Sequence, residues 1–486
     1  MNRYSVFVVA CMILSASFAS QAAGQSYKAA PFALPQELPA AQEDQAPAFA
    51  PRWAPFGVTS NVATSQIPLP VPFDPGDLLM QEAFNRSDFG AGYAVGAVED
   101  PVAVFRLVPN VNLNALYDTG VPGSNHSPSS LALSGSPEAR RGGVFSMNDT
   151  RASLKTDVQF PTITSQVYME LRVDPDDSLR FRQIYGRAGN WLGGSYFSSF
   201  SDNGTLPQSI IPDSAPAGAI ATPDVVQLQY VRLYQSGFLW GAAIENPNSG
   251  DFTLVDPNDA RLQRYPDFVA RIRYQPLDAW GSLQGALLLR QFGYEDVNGF
   301  EHFSSAVSYS ANARLKTYGD NNIRLGIVGG EGAGSRIFGL NADEVAAGPL
   351  NGGVTPLRNT GAFASYQHFW NDCLWSNAAY GYASANVTPG MPEETRIGQN
   401  GWVNLIWNNP SANVALGIEY QFAQREVGNG QHGMNHAVQF SLQIGKGYVA
   451  PDAAAPAAAS GNAAVASDFA PGPAVSPGDR GVFPRL

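Results

Sequence analysis

Between residues 265 and 292 the chain reads YPDFVARIRYQPLDAWGSLQGALLLRQF, and its side chains alternate in character. Phe268, Ala270, Ile272 and Tyr274 fall on one face of an extended chain, and Arg271 and Arg273 on the other. After the link 276–279, Leu283, Gly285, Leu287 and Leu289 share a face, with Gln284 and Arg290 opposite. Successive strand residues point to opposite faces, so the segment predicts an antiparallel hairpin. Pro276 and Asp278 suit its turn. A soluble sheet with one wet face has the same alternation. Arginines on the polar face, an apolar opposite face and aromatics (Tyr274, Trp280) beside the turn also describe a hairpin of a membrane barrel, greasy outside and polar inside.

Repetition decides between the two readings. Extended runs of this kind fall near 103–117, 143–160, 165–174, 179–188, 190–200, 225–236, 238–246 and 265–275. They continue near 280–293, 303–318, 321–330, 358–370, 374–387, 395–408, 412–425 and 434–448. The links at 160–165, 186–190, 235–238, 275–280, 317–321, 370–374 and 408–413 are short. Between them lie longer ones at 118–142, 201–224, 246–264, 294–302, 330–357, 388–396 and 425–433; only 174–178 is brief where a long one is due. Short turns on one side and long loops on the other, with an even strand number, predict an all-β chain: a transmembrane antiparallel β-barrel of about 16 strands with both termini in the periplasm of a bacterial outer membrane.

The ends read differently. Residues 1–23 have the charged start, short apolar core and small-residue end of a secretory signal. The string Val8-Val9-Ala10-Cys11 also resembles a lipidation site. Residues 24–102 are Pro- and Ala-rich, reading as a periplasmic linker or strap with at most a short helix over 77–84. The barrel is expected over 103–448, and a disordered Ala/Pro-rich tail over 449–486. With the signal removed, Cys373 is the one cysteine left, which excludes an intramolecular disulfide framework. A formal charge of -12 without a Lys/Arg run argues against nucleic acid.

Strand alternation also sorts the charges. Arg151 and Lys155 fall opposite Ala152 and Leu154, Arg172 opposite Leu171, Arg314 opposite Ala313 and Leu315, and Arg324 opposite Ile323. With Arg180, Arg182, Arg271, Arg273, Arg290 and Arg425 they compose a basic inner face, against few inward acids: Asp157, Glu170 and Glu419. In a narrow low-dielectric channel such charges focus potential and favour small anionic solutes. Any one of these arginines also reads as a wall residue paired with a loop acid. The 201–224 link is expected to fold inward as a constriction loop and to set Asp202, Asp213 and Asp224 across from the arginines; an ordinary surface loop is the alternative.

Several strings resemble the DcaP-like family of outer-membrane porins: LRFRQIYGRAGNWLGGSYFSSFSD (179–202), YPDFVARIRYQ (265–275), WGSLQGALLLRQF (280–292), GIEYQFAQREVGNG (417–430) and the opening strand VNLNALYDTG (111–120). The resemblance implies a sixteen-stranded homotrimer taking up organic anions such as dicarboxylates through an arginine-lined eyelet. It implies wall roles for Arg180, Arg182, Arg271, Arg273 and Arg290. The Pro-rich start departs from the family, whose members often begin with a coiled coil, and so does the extension after residue 448.

No hydrolase, P-loop or metal signature is present, so no catalytic residue, metal or cofactor is expected. The glycine-rich 329–335 (GGEGAGS) lacks a following Lys and reads as a flexible loop. The rival to a passive porin embedded in outer-membrane lipid is a secreted all-β carbohydrate-binding protein; a barrel-embedded hydrolase is a more distant alternative.

Overall fold

The computed structural model describes residues between 93 and 445, apart from short stretches within the links. The expectations for the signal, Cys11, the 77–84 helix and the tail lie outside the described residues.

The staves follow in chain order, with residues 197–224 separating the fifth from the sixth. They are β1 (Val102–Asp118), β2 (Gly142–Ser146 and Arg151–Gln159), β3 (Thr164–Val173), β4 (Leu179–Ala188) and β5 (Trp191–Tyr196). Next come β6 (Val225–Leu233), β7 (Phe238–Glu245), β8 (Asp267–Tyr274), β9 (Gly281–Glu295), β10 (Glu301–Lys316) and β11 (Asn322–Glu331). The last are β12 (Arg358–Asn371), β13 (Leu374–Ala385), β14 (Thr395–Asn409), β15 (Val414–Val427) and β16 (His432–Ile444). Each pairs antiparallel with the next, and β16 returns to β1 in the register Leu113↔Leu442 and Tyr117↔Val438. The result is a closed sixteen-stranded antiparallel barrel, whose closure pairs the first and last staves instead of leaving them as open edges.

Burial along the strands has the predicted period of two. β8 alternates strictly, with Asp267, Val269, Arg271 and Arg273 inward and Phe268, Ala270, Ile272 and Tyr274 outward. β7 and β12 repeat the pattern. Outward Leu287, Leu289, Ile327, Val403, Ile418 and Phe440 are among the exposed apolar side chains that coat the barrel. Trp191, Tyr234, Trp240, Tyr274, Trp280 and Trp370 gather at its short-turn end, as interfacial aromatics do.

Three local features depart from the sequence reading. The run 143–160 is broken at 147–150, where Asp149 takes φ 70. Four residues there oppose three on β1, a bulge that re-aims the strand. A second register shift falls between Glu170 and Leu171, where Gln183 and Phe181 are their partners and Arg182 is the extra residue. Third, Tyr93–Glu99 forms a strand on Val102–Leu107, inside a segment read as linker or strap. The wall is also uneven. β5 has 6 residues and β10 has 16, so at about 3.4 Å per residue they are about 20 and 54 Å long. The far edge of Gly142–Ser146 has no partner strand among the described residues, and Phe145 there is 89% exposed.

Candidate permeation site inside the barrel

Period-two alternation sends Arg271, Arg273, Arg290 and Arg324 inward from β8, β9 and β11, and each is buried. Arg273 lies 3.4 Å from Asp202 and donates to Gln275 at 2.9 Å. Arg290 reaches Asp267 at 3.0 Å and donates to the Gly332 carbonyl at 2.7 Å. Arg324 donates to Asn322 at 2.8 Å, to Gln367 at 2.6 Å and to the Leu206 carbonyl. Arg314 stands across the ladder from Arg324, half-buried near the short-turn end.

A second charged wall rises on β2 to β4, and there both signs alternate. Lys155 lies 3.4 Å from Asp157. Arg151 donates through Nε to Asp149 at 2.7 Å and sits 3.6 Å from Glu170. Arg172 is 2.9 Å from Asp174 and 3.9 Å from Asp149. The bulge residue Arg182 is 3.4 Å from Glu170, with its guanidinium 5.4 Å over the Phe197 ring. Arg180 also reaches Asp174 at 2.9 Å, but its side chain is 58% exposed and sits beside the 174–178 turn. It belongs to the rim of the wall.

Residues 197–211 and 214–220 run along the inner wall, making contacts on nearly every stave from β7 to β16. Ser198 and the Ser199 amide donate to Glu245 of β7 at 2.8 and 2.7 Å. Gln284 of β9 and Ser310 of β10 hold the carbonyls of Ser201 and Phe200 at 3.0 and 3.3 Å. Trp375 of β13 donates to the Gln208 side chain at 2.9 Å, and Asn404 of β14 to its carbonyl at 2.9 Å. At the far end Glu419 of β15 accepts from Ser209 at 2.7 Å, the Ile210 amide at 3.0 Å and Asn404 at 2.9 Å. Asn400 brackets the next turn, accepting from Ala217 at 2.7 Å and donating to the Ala215 carbonyl at 2.9 Å. Phe200, Ala217 and Ile220 of this loop pack with wall residues Ala243, Val269, Leu288, Val328 and Ala383. The inside is therefore partly apolar. A loop rich in Phe, Ile and Ala has to bury those side chains somewhere, and the inner wall meets it with small or apolar residues.

Asp202 thus lies against Arg273, while Asp213 and Asp224 lie outside the described residues. Arg425 donates to the carbonyls of Leu131 and Glu393, toward the long-loop end. Acids on the inner face are more numerous than Asp157, Glu170 and Glu419. Asp149, Asp174, Glu245 and Asp267 join them, each beside a bulge or at a strand end, where alternation assigns no clear face. The sequence reading also missed Arg336. The stretch 329–335, read as a flexible loop, ends β11 and enters a 3-10 turn (Gly334–Arg336) in which Arg336 is 2% exposed. Its signal was the lone basic residue of a Gly- and Ala-rich link whose other charges, Glu331, Asp343 and Glu344, are acidic.

Among the described residues, His302 faces Asp296 at 3.4 Å and His436 faces Tyr420 at 2.8 Å.

No protein-family model and no curated protein matches the sequence. Among solved structures the chain is similar to the outer membrane channel DcaP of Acinetobacter baumannii, with 18% identity, a TM-score of 0.63, and coverage of 72% of this chain and 99% of that one. It is also similar to an anion-selective porin from Comamonas acidovorans, with 11% identity, a TM-score of 0.50, and coverage of 70% and 99%. Closed antiparallel wall, alternating faces and an inward-lying loop after the fifth stave together give this chain the sixteen-stranded barrel fold of outer-membrane porins.

Proposed function

We propose that the protein is an outer-membrane porin through which small hydrophilic solutes diffuse, with a mild preference for organic anions such as dicarboxylates. The observation that carries the preference is local. Where the inner loop lies on the wall, Arg271, Arg273, Arg290, Arg324 and Arg336 stand with Asp202, Glu245 and Asp267. A surplus of cations at a constriction raises local anion concentration, while the alternating signs on β2 to β4 temper it. The two similar solved barrels, one named a channel and one an anion-selective porin, are in keeping with this reading. In planar bilayers with a salt gradient, the expected reversal potential has the sign of modest anion preference. A cation preference overturns the assignment.

The low wall at β3 to β5 and the exposed Phe145, Leu179 and Phe181 beside it (89%, 73% and 50%) favour a homotrimer with these staves at its centre. Apolar surface of that kind is covered by lipid or by a partner copy. Short turns then lie in the periplasm, together with both termini. The lipid contact is testable at one position. Leu287 is outward and 52% exposed, midway along β9. Leu287→Arg is expected to lower folding stability in bilayers by about 2–4 kcal/mol. An unchanged urea midpoint in vesicles places that face away from lipid.

A further inference from the structure

We infer that the 332–340 segment is the second half of the constriction, and that Arg336 is the positioning residue that seats it together with the inner loop. The inference rests on the porin reading and names a part of it that the inner loop alone does not supply.

The guanidinium of Arg336 joins three parts of the molecule at once. It donates to Ser198 of the inner loop at 2.8 Å, to Glu245 at the end of β7 at 2.6 Å and to Asp267 at the start of β8 at 2.5 Å. The same two carboxylates hold their other partners from both sides. Glu245 accepts from Ser198 and from the Ser199 amide, and Asp267 faces Arg290, which donates to Gly332 at the root of the 332–340 segment. Arg336, Arg290, Glu245 and Asp267 thus close a ring through both loops and three staves. All four are at most 4% exposed. Beyond Arg336 the two loops pair as a short antiparallel ribbon. Gly218 donates to the Phe338 carbonyl and Phe338 to the Ala219 carbonyl, both at 2.9 Å, and Ile220 bridges Ile337. Ile220, Ile337, Leu340 and Ala333 then bury one another against the wall.

The consequence is mechanical. The return arm of the inner loop (218–220) hydrogen-bonds to the second loop through this ribbon, so a shift of 336–340 shifts the constriction. Charge-assisted hydrogen bonds in a buried setting are the strongest the chain has available, and removing one partner strands the others. Two oppositely charged pairs hold the loops in one position while adding no net charge to the passage.

The test uses the full-length protein in planar bilayers. The wild-type channel is expected to be quiet. In Arg336→Gln, brief conductance substates from displaced loops are expected to rise at least tenfold in occupancy, since one lost charge-assisted bond exceeds the roughly 1.4 kcal/mol that a factor of ten represents. Should that variant fail to fold, Arg336→Gln with Glu245→Gln removes a charge of each sign and is expected to show the same substates. The readout specific to positioning is a crosslink. Bridged antiparallel residues have Cα atoms about 4.5–5.5 Å apart, within disulfide reach. I220C with I337C, in a Cys373→Ser background, is expected to silence the substates of Arg336→Gln when oxidised and to release them on reduction. Wild-type noise in a correctly folded Arg336→Gln channel overturns the inference, and so do substates that the crosslink leaves in place. A wild-type protein that forms no channel overturns the porin reading itself, which distinguishes the two failures.

Discussion

Replacing Glu419 with alanine is expected to free the far end of the inner loop and to lower unfolding stability by about 3 kcal/mol or more. Glu419 is 0% exposed and accepts hydrogen bonds from Ser209, the Ile210 amide and Asn404. Truncation leaves the buried Ile210 N–H without its acceptor and strands one N–H of the Asn404 amide, whose other N–H still reaches the Gln208 carbonyl. Each stranded group costs about 1–3 kcal/mol, and a cavity opens besides. Gln439 still holds the Ile210 carbonyl at 2.9 Å and Trp375 the Gln208 side chain at 2.9 Å, so the loop loosens at its end without leaving the wall. Glu419→Gln keeps the shape and one full acceptor, and a Ser209 hydroxyl can turn to accept from the new amide. That variant is expected to stay within about 1–1.5 kcal/mol of wild type, the worth of an ordinary hydrogen bond. Urea unfolding in vesicles, followed by tryptophan fluorescence, separates the two. An alanine variant with the wild-type midpoint removes Glu419 from the anchoring account.

The second large effect is expected at Gly381 of β13. A Cβ built there would stand 2.2 Å from the Ala217 carbonyl oxygen and 2.5 Å from its nitrogen. Both are backbone atoms of the inner loop, so no side-chain rotation relieves the clash. Gly361 on the neighbouring stave makes the same kind of approach, 2.5 Å from the Gly218 Cα, and Gly218 itself has φ +82. These bare positions let the loop lie flush with the wall, leaving cross-section open in front of it. Gly381→Val is expected to push the loop into the passage, to reduce single-channel conductance and to destabilise by about 1–3 kcal/mol through overpacking. Gly285 provides the control. It sits on the outer face of β9, where an added Cβ has no neighbour nearer than Ile272 Cγ1 at 3.8 Å. Gly285→Ala is expected to leave conductance unchanged. A Gly381→Val barrel with full conductance shows that the loop does not bound the passage there.

The strand pattern was legible because alternation is a local property. Whether Arg271 or Ile272 faces lipid follows from its neighbours, and one hairpin's period-two order repeats around the wall. Link lengths were nearly as readable, although the last long link is tighter than expected, with β15 running to Val427 and β16 resuming at His432. The two bulges were not readable. Asp149 with its positive φ and the extra residue Arg182 both interrupt runs whose composition looks continuous.

The sequence by itself determined a two-faced wall, its strand number and the arginines on its inner side. Only the tertiary structure decided what those arginines do. Arg273 and Arg324 meet the inner loop at Asp202 and Leu206, 71 and 118 residues away, and Arg336 meets Asp267 at a separation of 69. Alternation says which side of a strand a charge lies on. Its partner is set by which loop the closed barrel folds against it, and no pattern within a single strand encodes that.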